Sequence, residues 1–208
     1  MSLLAELRAV VPSRRLVHSE SRILAERQAT LLLKNFGVTG PAVPHRVITD
    51  LPFLTVATRP LVRSSGGTRW SRSGRERTSP VAPQWLVVVN SLEPRTRVRF
   101  SLGHELKHIL DHGRVGTLYG TTEPRSALVE HTCDYFAACL LMPRTWVKNA
   151  YAAGVQNVFD LAELFDVSPQ AMQVRLLSLG LINAYERHSE IDNAYLRSRP
   201  ALLLGQAA

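Results

Sequence analysis

The sequence predicts an α+β fold in which a small sheet packs on helices, with a helical element at the N-terminal end and a helix-turn-helix-like helical piece at the C-terminal end. Three observations carry this. Residues 53–58 and 85–89 have the length and β-branched or apolar composition of strands. Residues 94–112 and 126–142 place apolar side chains at helical spacing. A chain of 208 residues with 45% apolar composition is long enough to bury one ordinary core.

In chain order, residues 21–36 carry Ile23, Leu24, Leu31 and Leu32 at helical spacing and stop near Gly37. Pro41 and Pro44 mark a turn, a short helix covers 45–50, and a strand follows at 53–58. Residues 63–79 hold Arg63, Arg69, Arg72, Arg75 and Arg77 among glycines and serines, the composition of a mobile surface loop. The run 85–89 reads as a buried strand closing the sheet. In the helix at 94–112, Val98, Leu102, Leu106, Ile109 and Leu110 share one arc before Gly113. Pro143 ends the helix at 126–142. Short amphipathic helices at 157–165 and 168–179 complete the chain, the second opened by Ser168 as N-cap and Pro169 and stopped by Gly180. The expected organisation is an N-terminal helical element at 1–40, a core at 41–150 and a C-terminal helical region at 151–208.

No window approaches the ~18 apolar residues of a membrane span. Glu6 and Arg8 interrupt the only leader-like stretch, so a cytoplasmic protein is expected. Cys133 and Cys139 lie on one helix with Cα atoms ~9 Å apart, too far for a disulfide, and read as buried thiols. With 25 Lys and Arg against 17 Asp and Glu, the net charge of +8 implies weak, salt-sensitive, non-specific contact with nucleic acid.

The sharpest feature is His104-Glu105-Leu106-Lys107-His108, an HExxH inside a predicted helix. At ~100° per residue the two imidazoles point ~40° apart and one turn apart, so both can reach one ion, while Glu105 stays available to take a proton. A catalytic zinc site needs a third protein donor and an open fourth position. Glu130 on the next helix is the candidate, with Asp134 one turn later placed to accept the outward N–H of a ligand histidine. His112 is a rival by spacing, but ~12 Å separates it from His104 along a straight helix. Asp111 and Glu123 are further rivals without a supporting carboxylate at helical spacing. His131, Tyr135 and Tyr119 are the candidates for stabilising an oxyanion.

Arg97 to His108, followed by Glu130-His-Thr-Cys-Asp-Tyr-Phe-Ala137 and Leu140-Leu-Met-Pro143, resembles the ImmA/IrrE metallopeptidases. The likeness extends to 25–44, 84–90 and 161–182, about three quarters of the chain. It implies a zincin-like fold of gluzincin type, one Zn²⁺ per chain held by His104, His108 and Glu130, and Glu105 as catalytic base. It also implies, as substrate, a helix-turn-helix repressor whose cleavage relieves repression of mobile-element or stress-response genes. Two positions depart from the family pattern: Lys107 stands where Gly is usual, and Cys133-Asp134 where Ala-Asn is common.

The expected function is therefore that of a zinc-dependent endopeptidase, its substrate lying extended against a sheet edge near the metal. The competing reading is a DNA-binding or repressor-binding module without turnover, built on 157–179 with Gln170, Gln173 and Arg175 as base readers. A purely structural zinc would need four protein ligands, and no cysteine pair has zinc-finger spacing.

Overall fold

A computed structural model describes residues 2–61, 66–71, 84–120 and 125–183. Ser2 accepts the Ala5 N–H and opens α1 (Leu3–Ala9). The next helix, α2 (His18–Asn35), begins three residues before the apolar periodicity does. Its start is set by charge: Glu20 accepts the Val17 N–H at 3.1 Å and is gripped by both terminal nitrogens of Arg14. After the one-turn α3 (Arg46–Thr49) the chain enters β1 (Leu54–Arg59).

The basic stretch departs from expectation. Residues 66–71 are not loop but strand β2 (Gly66–Ser71), antiparallel to β3 (Gln84–Asn90), with Gly66 opposite Val89 and Ser71 opposite Gln84. The Gly and Arg content hides a short β-forming run, Thr68 to Trp70, that a composition reading averages away. Residues 63–65 and 72–79, the rest of the presumed loop, lie outside the described residues. β1 runs parallel to β3, giving the order β1-β3-β2, so β3 is the central strand and β2 an edge. Trp85, Val87 and Val89 of β3 are buried while Leu86 and Val88 are half-buried, the alternation of a sheet with one face on the core.

That face packs on α4 (Arg95–Asp111), whose Leu102, Leu106, Ile109 and Leu110 are fully buried. A turn at Gly113 (φ +81°) leads into the short α5 (Val115–Tyr119), then α6 (Arg125–Leu141) runs against both α2 and α4. Pro143 ends α6 and also occupies the N-cap position of α7 (Arg144–Ala152), a helix the sequence reading passed over because proline was taken only as a stop.

Asn157 and Ser168 cap α8 (Val158–Phe165) and α9 (Pro169–Ser178) through their side chains, as their residue types dictate. The turn between them turns on Asp166, which adopts φ +52° and pairs with Arg99 and Arg95 of α4. Arg99 is buried and also donates to the Val43 carbonyl at 2.8 Å, so the ion pairs tie the last two helices to the first turns of α4. Phe165, Met172 and Leu176 join the same apolar core as Leu7, Leu32, Leu106 and Val87. Among the described residues no helix is long and apolar enough to cross a membrane. Both cysteines are free and buried, as their spacing implied.

Candidate metal centre

The site begins with a close helix crossing. A Cβ placed on Gly103 would lie 3.1 Å from both the Cα and Cβ of Ala137, so α4 and α6 approach with almost no side chain between them. That approach carries Glu130, two turns before Ala137 on α6, to the rings that α4 presents one turn apart. His104 Nε2 lies 3.1 Å from His108 Nε2 and 3.1 Å from Glu130 Oε2, and His108 Nε2 lies 3.5 Å from Glu130 Oε1. These separations between the two ring nitrogens and the two oxygens of one carboxylate are close to the edges of a tetrahedron with zinc bonds of ~2.0–2.1 Å, which are about 3.3 Å long. The donor set fits the ion.

Asp134 stands behind His104, its Oδ1 2.8 Å from Nδ1, which fixes the ring with Nε2 turned toward the triangle. Burial alone would lower the His104 pKa. The Asp134 hydrogen bond and the charges of Asp134, Glu130 and Glu105 outweigh it and leave the ring above its ordinary value. The histidines are recessed and Glu130 is 57% exposed, so the triangle opens toward solvent on the carboxylate side.

Glu105 faces the edge strand. The Thr68 hydroxyl of β2 donates to its Oε2, and a Cβ on Gly66 would lie 3.9 Å from its Cγ. Sequence reasoning missed both contacts because they come from the stretch read as loop. Gly66, Glu105, His104 and Glu130 line a cavity of about 250 Å³. It shares Arg97, Phe100 and Asp134 with a second groove of about 650 Å³ that runs along α6 to α9.

The rival donors lie elsewhere. His112 packs edge-on against Trp85 with ring centroids 4.6 Å apart. Asp111 is buried, held by Lys107 at 2.7 Å and by the Tyr119 hydroxyl at 2.6 Å. Glu123 lies outside the described residues. The Asp111 contact also takes Tyr119 away from any substrate, whereas His131 and Tyr135 line the larger groove. The sequence reading did not consider Cys133 as a donor, yet its Sγ and ring nitrogens of His104 and His108 all fall within 4.8 Å of one another. Burial first, then the Asp111 charge, pushes that thiol well up from its ordinary range in the metal-free chain.

Two of the three residues proposed as base readers are buried: Gln173 is 3% exposed and Arg175 is 1% exposed, its Nε donating to the Met142 carbonyl. Only Gln170 remains at the surface, so the face of α9 has little with which to read a base edge.

The sequence profile of the M78 peptidases, described as the IrrE N-terminal-like domain, matches residues 63–177. No curated protein matches the chain. Among solved structures, a Mycobacterium tuberculosis transcriptional regulator is similar in fold, with a TM-score of 0.52 and 15% sequence identity. The match covers 85% of this chain and 52% of the regulator, so the chain spans about half of that protein's length.

Proposed function

The chain belongs to the IrrE N-terminal-like domain family, and on that premise we propose that it is a zinc-dependent endopeptidase that cleaves a helix-turn-helix repressor in the cytoplasm, relieving repression of mobile-element or stress-response genes. The convergence of His104, His108 and Glu130 within 3.5 Å carries this reading. These three residues hold the ion, Asp134 orients His104, and Glu105 is the base. When bound, zinc supplies a Lewis acid that polarises the scissile carbonyl and acidifies a water.

The protein's own residues do the rest. Glu105 takes a proton from the attacking water and returns it to the leaving amine, and the Thr68 hydroxyl fixes its carboxylate in the cavity. The β2 edge, unpaired by any other described strand, offers main-chain groups to an extended substrate beside that carboxylate. The burial of Gln173 and Arg175 weighs against a DNA-reading module without turnover. The test is incubation of the zinc-loaded chain with purified helix-turn-helix repressors, with and without a chelator. Discrete fragments that vanish with the chelator are expected, and intact repressors and peptides under every condition would overturn the reading.

A further inference from the structure

The larger groove has a chemistry that the metal cavity lacks. Its floor is apolar, with Phe100, Ala138 and the 55%-exposed Val174. Its wall carries Arg22 stacked over the Tyr135 ring, 4.2 Å from guanidinium carbon to centroid. No carboxylate among the described residues pairs with Arg22. Behind the same ring, 5.4 Å from its centroid, lies the buried guanidinium of Arg175, whose Nη1 and Nη2 have no hydrogen-bond partner among the described residues. Arg97, paired with Glu93 at 3.8 Å, lies where the groove meets the metal cavity. The nearby carboxylates are engaged: Asp134 by His104 and Glu26 by Arg144 at 2.9 and 3.1 Å.

We propose that this groove is the specificity subsite of the peptidase, taking a substrate segment with an acidic side chain for Arg22 and an apolar side chain for the Phe100 and Val174 floor. The inference rests on the peptidase reading above and adds the class of sequence cleaved. Arg97, Phe100 and Asp134 line both this groove and the metal cavity, so the acidic side chain falls within a few residues of the scissile bond, on one side of it. A nucleic-acid strand fits less well, because it needs a longer row of cations than these arginines and gains nothing from the aliphatic Ala138 and Val174.

Two measurements test this on the full chain. In the first, the zinc-loaded protein digests a synthetic peptide library with randomised positions and the cut sites are read by mass spectrometry. Asp or Glu is expected to be enriched at one position within a few residues of the cut, and Arg22→Glu to replace that preference with Lys or Arg. Cut sites without acidic enrichment, or a profile indifferent to Arg22→Glu, would overturn the proposal. In the second, the Glu105→Gln chain binds a fluorescent dodecapeptide with a central Leu flanked by Glu residues, followed by anisotropy. Arg22→Glu and Arg22→Gln are each expected to weaken binding about tenfold with unchanged circular dichroism. Equal binding by all three proteins, or displacement by single-stranded DNA but not by unlabelled peptide, would overturn it. Binding is read without turnover, so the two proposals fail separately: acidic-peptide binding without any cleavage sinks the peptidase reading alone, and cleavage without acidic preference sinks the groove alone.

Discussion

On the inner face of α4, Lys107 is fully buried and donates to Asp111 at 2.7 Å and Gln28 at 2.9 Å, while Tyr119 caps the other oxygen of Asp111 and Gln28 donates to the Leu7 carbonyl. On the outer face of the same helix, the Nε2 atoms of His104 and His108 lie within 3.5 Å of each other and of Glu130. The inner charges are closed into a network in which each member has its partner, and that network ties α1, α2 and α5 to α4. The outer set leaves three lone-pair donors pointing at one place. One helix thus separates polar groups that hold the fold from polar groups that await a ligand, and the distinction lies in where their unused hydrogen-bonding capacity points.

The largest effect that tests this division is on the outer face. Glu105→Gln is expected to retain zinc and lose cleavage by two to four orders of magnitude, measured as turnover of a repressor fragment alongside metal content. Unchanged turnover would move the base elsewhere. On the inner face, Lys107→Ala leaves Asp111 charged and buried, and should cost about 3–5 kcal/mol in denaturant unfolding of the zinc-free chain. His108→Ala under the same conditions should cost no more than about 1 kcal/mol, since its ring is partly exposed and its Nε2 meets only the other members of the metal site within 3.5 Å among the described residues. Equal costs would erase the comparison.

Asp134→Asn is expected to weaken zinc affinity about 10- to 100-fold without measurable loss of fold, because it acts on the orientation and basicity of His104 and not on packing. The smallest effect is far from the site. Arg14 holds the Glu20 carboxyl down at about 2, against an ordinary value near 4.5, through their paired hydrogen bonds. A depressed carboxyl stabilises the folded chain above its unfolded value and loses that contribution as pH falls through the folded one. The melting temperature of the native chain should therefore exceed that of Arg14→Ala at pH 5, and the gap should close as pH approaches 2.

What the sequence made legible follows the same line. The helix with His104, Glu105 and His108, the helix with Glu130 and Asp134, and the capped pair after Asn157 are all marked by local signals: periodicity, capping residues and the terminating Pro143 and Gly180. The α+β class follows from those signals together with the apolar run at 85–89. Strand β2 did not, because its pairing is a tertiary fact: Gly66 to Ser71 become strand by lying along β3, and nothing in a Gly/Arg stretch announces a partner. With β2 went the Thr68 contact to Glu105. Lys107 read as a cation near the metal helix, and only the fold shows that it turns inward to partners 79 and 4 positions away in sequence. The burial of Gln173 and Arg175 was equally hidden, since polar side chains on a short amphipathic helix give no sign of facing the core.

Three donors on two helices are proposed to share one ion, and anomalous diffraction at the zinc edge from crystals of the native chain would locate it. A single peak is expected, bonded to Nε2 of His104, Nε2 of His108 and the Glu130 carboxylate, with one position left to solvent. A map without a peak there, or a peak bonded to Cys133 while Glu130 turns away, would contradict it.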